Sequence, residues 1–169
     1  MSLRLFNFRI AGFDAAQSEI FVDDDGHVSA AAVADAGPID CQGAFLSPGW
    51  ADLHVHVWHG GTDISIRAME AGRMTGVTAM ADAGSAGEAN FHGLREYVLE
   101  PAAETIRAFL NIGSLGLVAC NRRSQLIDLP PIAIHRPLPV VEAHRDLSRG
   151  TQARAPGVPF GAWGTSPAP

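Results

Sequence analysis

The sequence predicts an α/β fold in which a short β segment precedes parallel strands that alternate with helices. Three observations lead there. Apolar runs of strand length recur at residues 50–57, 77–81 and 106–112. Segments of helical length, 62–74 and 91–104, separate them. A strand–helix–strand series of this kind puts parallel strands in one sheet with helices outside it.

Taken in order, the first elements read as short strands. Leu3, Leu5, Phe6, Phe8 and Ile10 lie in one apolar run, and Glu19-Ile20-Phe21-Val22 leads into the polar turn Asp23-Asp24-Asp25-Gly26. A glycine there can take positive φ, so Val28 and the alanines after it are read as the second arm of a hairpin. Gly37-Pro38 and Cys41-Gln42-Gly43 add turn punctuation. Residues 1–47 are therefore expected to form a small antiparallel β unit.

The pattern changes at Ser47-Pro48-Gly49. A strand over 50–57 is followed by a helix over 62–74, closed by Gly76, and by a strand over 77–81. Gly84-Ser85-Ala86-Gly87 reads as a loop, without the Gly-Lys-Ser/Thr ending of a phosphate loop. A helix over 91–104, interrupted by Pro101, precedes the strand at 106–112. This second region is placed at 48–130.

Residues 131–169 differ again. Pro, Arg, Ala and Gly dominate from about Arg136, and no helical or strand period is visible after Arg145. One reading is a disordered tail or linker. Another is loss of the original reading frame near residue 136, because a shifted frame in GC-rich DNA yields these residue types.

Composition excludes several function classes. With 169 residues, 47% of them apolar, a sizeable core is possible. A net charge of −6 argues against a nucleic-acid surface, which needs a basic stripe. No run is long and apolar enough to span a membrane, and the N-terminus lacks a signal-peptide pattern. Cys41 and Cys120 form no metal or redox motif and read as reduced thiols, which suggests a cytoplasmic protein. All 12 basic residues are Arg, so chemistry that needs a lysine amine is excluded.

The strongest chemical signal is Asp52-Leu53-His54-Val55-His56-Val57. Strand alternation puts Asp52, His54 and His56 on one face, and Leu53, Val55 and Val57 on the other. Two imidazoles two positions apart can grip one metal ion, and neutral imidazole suits Zn²⁺. Asp52 could orient a histidine ring from behind or serve a structural hydrogen bond. A pair of satisfied core histidines is the bland alternative.

These residues carry a resemblance. The stretch from Ser47-Pro48-Gly49 through Asp52-Leu53-His54-Val55-His56 to Gly60-Gly61-Thr62-Asp63 resembles the opening of the amidohydrolase superfamily. With Gly76-Val77-Thr78, the segment from Asp82 to Phe91, and Phe109-Leu110-Asn111-Ile112-Gly113, it is similar to the amidohydrolase/deacetylase branch, often labelled dihydroorotase-like or D-aminoacylase-like. The resemblance covers roughly residues 3–130. It implies the N-terminal part of a (β/α)8 TIM-like barrel, about three βα units, preceded by part of a small β-sandwich and left incomplete. It also implies a divalent metal cofactor, one or two ions and usually zinc, whose activated hydroxide cleaves a small-molecule amide, N-acetyl, cyclic amide or related ester bond. His54 and His56 match the ligands from the first barrel strand. The family takes a bridging ligand, often a carboxylated lysine, from the fourth strand, and further histidines and an aspartate from later strands. None of these can be placed here, so the general base is expected outside this chain and the catalytic residue stays unassigned.

Weaker candidates follow. His59, beside Gly60-Gly61, could touch substrate or make a local loop contact. Asp82 ends a strand and could face the active-site end or cap the next turn. Glu88, Asn90, His92 and Asn111 have similar standing, with capping accounting for Asn90 and solvent exposure for Glu88. The alternatives to a hydrolase are a non-catalytic remnant or metal-binding fragment, and a metal-dependent phosphoesterase of the polymerase-and-histidinol-phosphatase type. The open strand edge of an incomplete barrel would favour self-association. Poor zinc binding and little turnover are expected of a chain with two histidine ligands and no base.

Overall fold

The computed structural model describes residues 1–12, 19–118, 120 and 135–153. The chain divides into two compact units, Met1–Pro48 and Gly49–Pro169.

The first unit holds β1 (Leu3–Phe6), β2 (Arg9–Ile10), β3 (Glu19–Val22), β4 (Val28–Ser29), β5 (Gly37–Asp40) and β6 (Phe45–Leu46). β3 and β4 form the expected hairpin, with Val22 opposite Val28. The unit is not purely antiparallel, however. β1 pairs antiparallel with β3 but parallel with β5, and β2 pairs parallel with β6. The apolar run 3–10 breaks at Asn7, whose φ of 56° is a left-handed conformation that Asn tolerates better than most residues.

The second unit is a four-stranded sheet in the order β10-β9-β8-β7, and every neighbouring pair is parallel. Its strands are β7 (Trp50–Val55), β8 (Val77–Ala83), β9 (Thr105–Asn111) and β10 (Ser148–Gln152). The sheet is open, as in a partial barrel. One face is covered by the core: Val57, Met80, Phe91, Leu94, Ile106, Ala108 and Leu110 are buried together. Ile106, Ala108 and Leu110 are 2%, 0% and 0% exposed, so alternate residues of β9 face the helices and the others the opposite side. Each such large apolar side chain contributes about 1.5–3 kcal/mol.

The helices are shorter than expected. Residues 62–74 yield only α1 (Ala68–Ala71), because the preceding loop folds on itself through bridges between Trp58 and Arg67 and between His59 and Thr62. The backbone N–H of Ile66 then donates to the carbonyl of His56 at 3.1 Å, which ties the loop to the end of β7. The helix expected over 91–104 is α2 (Phe91–Leu94), continued by one wide turn of π type over Arg95–Leu99. It stops before Pro101, whose ring cannot continue it.

Residues 135–153 depart from the expected tail. They form α3 (Pro137–Ala143) and β10, a fourth helix–strand step. Pro137 sits at the first helical position, where its missing N–H costs nothing. Val140, Val141 and Leu147 pack on the core. β10 has no apolar residue, but its backbone pairs Thr151 with Leu110 and Gln152 with Asn111. The rest of the expected tail, residues 131–134 and 154–169, lies outside the described residues. No helix among the described residues is long and apolar enough to cross a membrane.

Candidate metal centre

β7 carries His54 and leads directly into His56, but not by regular alternation. Asp52 lies opposite Met80 and Val55 opposite Asp82, so three steps on β7 match two on β8. This bulge takes Asp52 out of step with the histidines. Its carboxylate accepts a 2.9 Å hydrogen bond from the backbone N–H of His54. Of the two roles expected for Asp52, the structure displays the local backbone bond. Val55 and Val57 pack toward the core, leaving His54 and His56 on the opposite face. Their rings meet edge to face with centroids 5.7 Å apart.

Behind His56 lies a buried polar chain. Asp82 and Ser85 are both 0% exposed. The Asp82 carboxylate accepts from Val57 N–H at 3.0 Å, Ser85 N–H at 2.8 Å and the Ser85 hydroxyl at 2.7 Å. Burial pushes the Asp82 carboxyl up, while these three hydrogen bonds and the nearby His56 pull it back. The Ser85 oxygen lies 3.1 Å from His56 Nδ1. The hydroxyl has one proton, and it goes to the carboxylate. Ser85 therefore accepts from Nδ1–H, and a neutral His56 keeps its lone pair on Nε2. That is the tautomer a metal ligand needs. Asp82 thus caps the next turn, as expected, and also orients His56 through Ser85, the part expected of Asp52. Sequence reasoning missed Ser85; its signal was the Asp82-x-x-Ser85 spacing at a strand end.

The other candidates are placed elsewhere. His59 lines a cavity of about 370 Å³ with Val57, Arg67, Tyr97 and Glu104, a cavity to which neither His54 nor His56 contributes. Asn111 is structural: its amide donates to Gly84 O at 3.1 Å and its oxygen accepts from Gly113 N–H at 2.9 Å. Asn90 sits at the N-cap of α2, but its side chain makes no cap hydrogen bond; it accepts from Gly87 N–H and donates to Leu115 O, both at 2.9 Å. Glu88 is not a solvated surface residue, since its side chain is 17% exposed and pairs with Arg136 at 3.8 Å. His92 is exposed and pairs with Glu96 at 3.0 Å.

Among the described residues, three potential ligands converge only at Asp23, Asp25 and His27, in the first unit. That cluster is explained by its turn, where Asp23 accepts from the N–H groups of Asp25 and His27. Among the described residues, His54 and His56 gather no third such side chain. Their donor chemistry fits one divalent ion held from one side, with further ligands still to be supplied.

The comparisons decide the ancestry. The chain is 51% identical over 172 residues to a deacetylase of Agrobacterium fabrum, an alignment covering 96% of this chain and 42% of that protein. It is 53% identical over 157 residues to a deacetylase of Brucella anthropi, covering 90% of this chain and 39% of that protein. The crystal structure of a dihydroorotase superposes with a TM-score of 0.85 at 48% identity, over 98% of this chain and 46% of that one. The chain belongs to the amidohydrolase superfamily. An adenine deaminase structure shares the fold, with a TM-score of 0.69 at 24% identity over 90% of this chain and 40% of that one. No family model matches. The chain spans about two fifths of the length of the curated deacetylases above. Divalent metals are the usual cofactors of this superfamily.

Proposed function

We propose that this chain carries the first-strand metal ligands of a hydrolase that cleaves a C–N bond, or a related ester, in a small molecule. The observation that carries this reading is the Asp82–Ser85–His56 chain, which fixes the ring of His56 through Nδ1 beside the ring of His54. His54 and His56 would hold the ion, and zinc is the natural choice for two neutral imidazoles. When bound, such an ion supplies a Lewis acid and acidifies water. The chain's own residues do the positioning: Ser85 fixes the ring of His56, and Asp82 holds Ser85 and the end of β7.

Of the carboxylates near the histidines, Asp82 is engaged three times and Asp52 accepts from the His54 N–H. The 169 residues alone are therefore expected to turn over slowly. A cytoplasmic location belongs to the same proposal, since Cys41 and Cys120 form no metal or redox motif in the sequence. The test uses Co²⁺ as a spectroscopic ion, followed by panels of N-acetyl amino acids, cyclic amides and phosphate monoesters. A Co²⁺ spectrum lost in His54→Ala and His56→Ala, with any turnover confined to amides and esters, is expected. Metal-dependent phosphatase activity, or ion uptake indifferent to both histidines, would overturn the reading.

A further inference from the structure

The sheet face that carries the histidines has a second notable position at the far strand. Because Ile106, Ala108 and Leu110 face the core, Arg107, Phe109 and Asn111 face the other way. The register pairs Phe109 with Gly150 and Asn111 with Gln152, so Gln152 ends β10 on the same face as His54 and His56. Its side chain reaches over the end of β8. A Cβ added to Gly84 would lie 2.5 Å from Gln152 Oε1, so the glycine makes room for this amide. Oε1 is buried from water and has no hydrogen-bond partner among the described residues.

We propose that these four strands build a site for one divalent ion rather than a bridged pair. The inference rests on His54 and His56 holding an ion. Two dications a few ångströms apart repel strongly and need an anionic oxygen between them. β10 reads Ser-Arg-Gly-Thr-Gln and supplies no anion. A carbamate cannot substitute, because the chain contains no lysine. Asn111 is engaged on both its amide atoms. What stands at the fourth-strand position is the neutral amide of Gln152, a weak oxygen donor without the charge a second ion demands.

The test counts ions. The chain is held at equilibrium with saturating Co²⁺ and the bound ions are counted without removing the free ion, beside a His54→Ala/His56→Ala double variant. Ions retained by that variant sit elsewhere, for instance at Asp23, Asp25 and His27, and are subtracted. Gln152→Glu adds a carboxylate with almost no change of shape, and circular dichroism checks its fold. One histidine-dependent ion in the parent and two in Gln152→Glu is the expected result. Two in the parent, or one in both, overturns the inference while leaving the metal reading intact. None in the parent overturns both.

Discussion

Asp82 is the residue whose loss should be felt most. It accepts three hydrogen bonds while fully buried, and two of the donors are backbone N–H groups on different segments. Asp82→Ala leaves the Val57 and Ser85 N–H groups and the Ser85 hydroxyl without an acceptor. A buried unpaired donor costs about 1–3 kcal/mol, and these losses are not additive, so about 3–5 kcal/mol in total is expected. Asp82→Asn is milder but not neutral. Oδ2 accepts from Val57 and the Ser85 hydroxyl, and Oδ1 from the Ser85 N–H. Whichever oxygen becomes NH₂ then faces a backbone N–H. One donor is orphaned in either rotamer, which costs about 1–3 kcal/mol. Urea denaturation followed by circular dichroism measures both, with the midpoint falling in the order parent, Asn, Ala at an unchanged slope. If both variants lie within about 0.5 kcal/mol of the parent, the buried network is not what holds β7 to the β8 loop.

Three other outcomes are expected. Ser85→Ala removes the acceptor for His56 Nδ1 and should weaken Co²⁺ binding about 10- to 100-fold, as losses behind metal ligands do, with the midpoint of unfolding moved much less than by Asp82→Ala; equal affinities by competition titration would refute it. Glu104, its side chain 4% exposed, is pushed up by burial, but hydrogen bonds from its own backbone and from the N–H and guanidinium of Arg73 outweigh this and leave it below its ordinary value. A lowered folded pKa stabilises above the unfolded value of about 4.3 and is lost as pH falls through the folded one, so melts between about pH 7 and pH 3 should converge for the parent and Glu104→Gln at the acid end. Finally, β7 and β10 end the sheet, and Trp50 and Leu53 on β7 are 63% and 77% exposed; light scattering should show association that grows with concentration, and a monomer throughout would count against it.

What could be read beforehand followed apolar content. β8 and β9 were legible as apolar runs of strand length: β8 buries every residue from Met80 to Ala83, and β9 sends Ile106, Ala108 and Leu110 into the core. β10 was not, because Ser148, Arg149, Gly150, Thr151 and Gln152 announce no period; backbone pairing to β9 makes it a strand. Its Gly150 has a φ of 142°, a value side chains rarely permit, which composition registers only as glycine richness. α3 was hidden by a Pro- and Arg-rich composition that reads as a tail, although Pro137 and Pro139 both fall in the first turn, where proline is tolerated. The expected helix at 62–74 failed for the opposite reason: spacing suggested it, but loop bridges and the Ile66–His56 bond claimed the backbone first. The histidine pair stood out by residue type and by its two-residue spacing in Asp52-Leu53-His54-Val55-His56. Its support did not, because Ser85 and Asp82 reach His56 across a strand boundary that no local spacing reveals.

The bulge in β7 bears on protein engineering. Asp52-Leu53-His54-Val55-His56 looks portable, a short string to graft onto any parallel strand. On a regular strand the same five residues would carry the aspartate along with both imidazoles, a different arrangement from the one seen here. A transplant that keeps the letters must also bring the extra residue opposite Ala81 and a buried carboxylate on the neighbouring strand, or it will reproduce the spelling without the geometry.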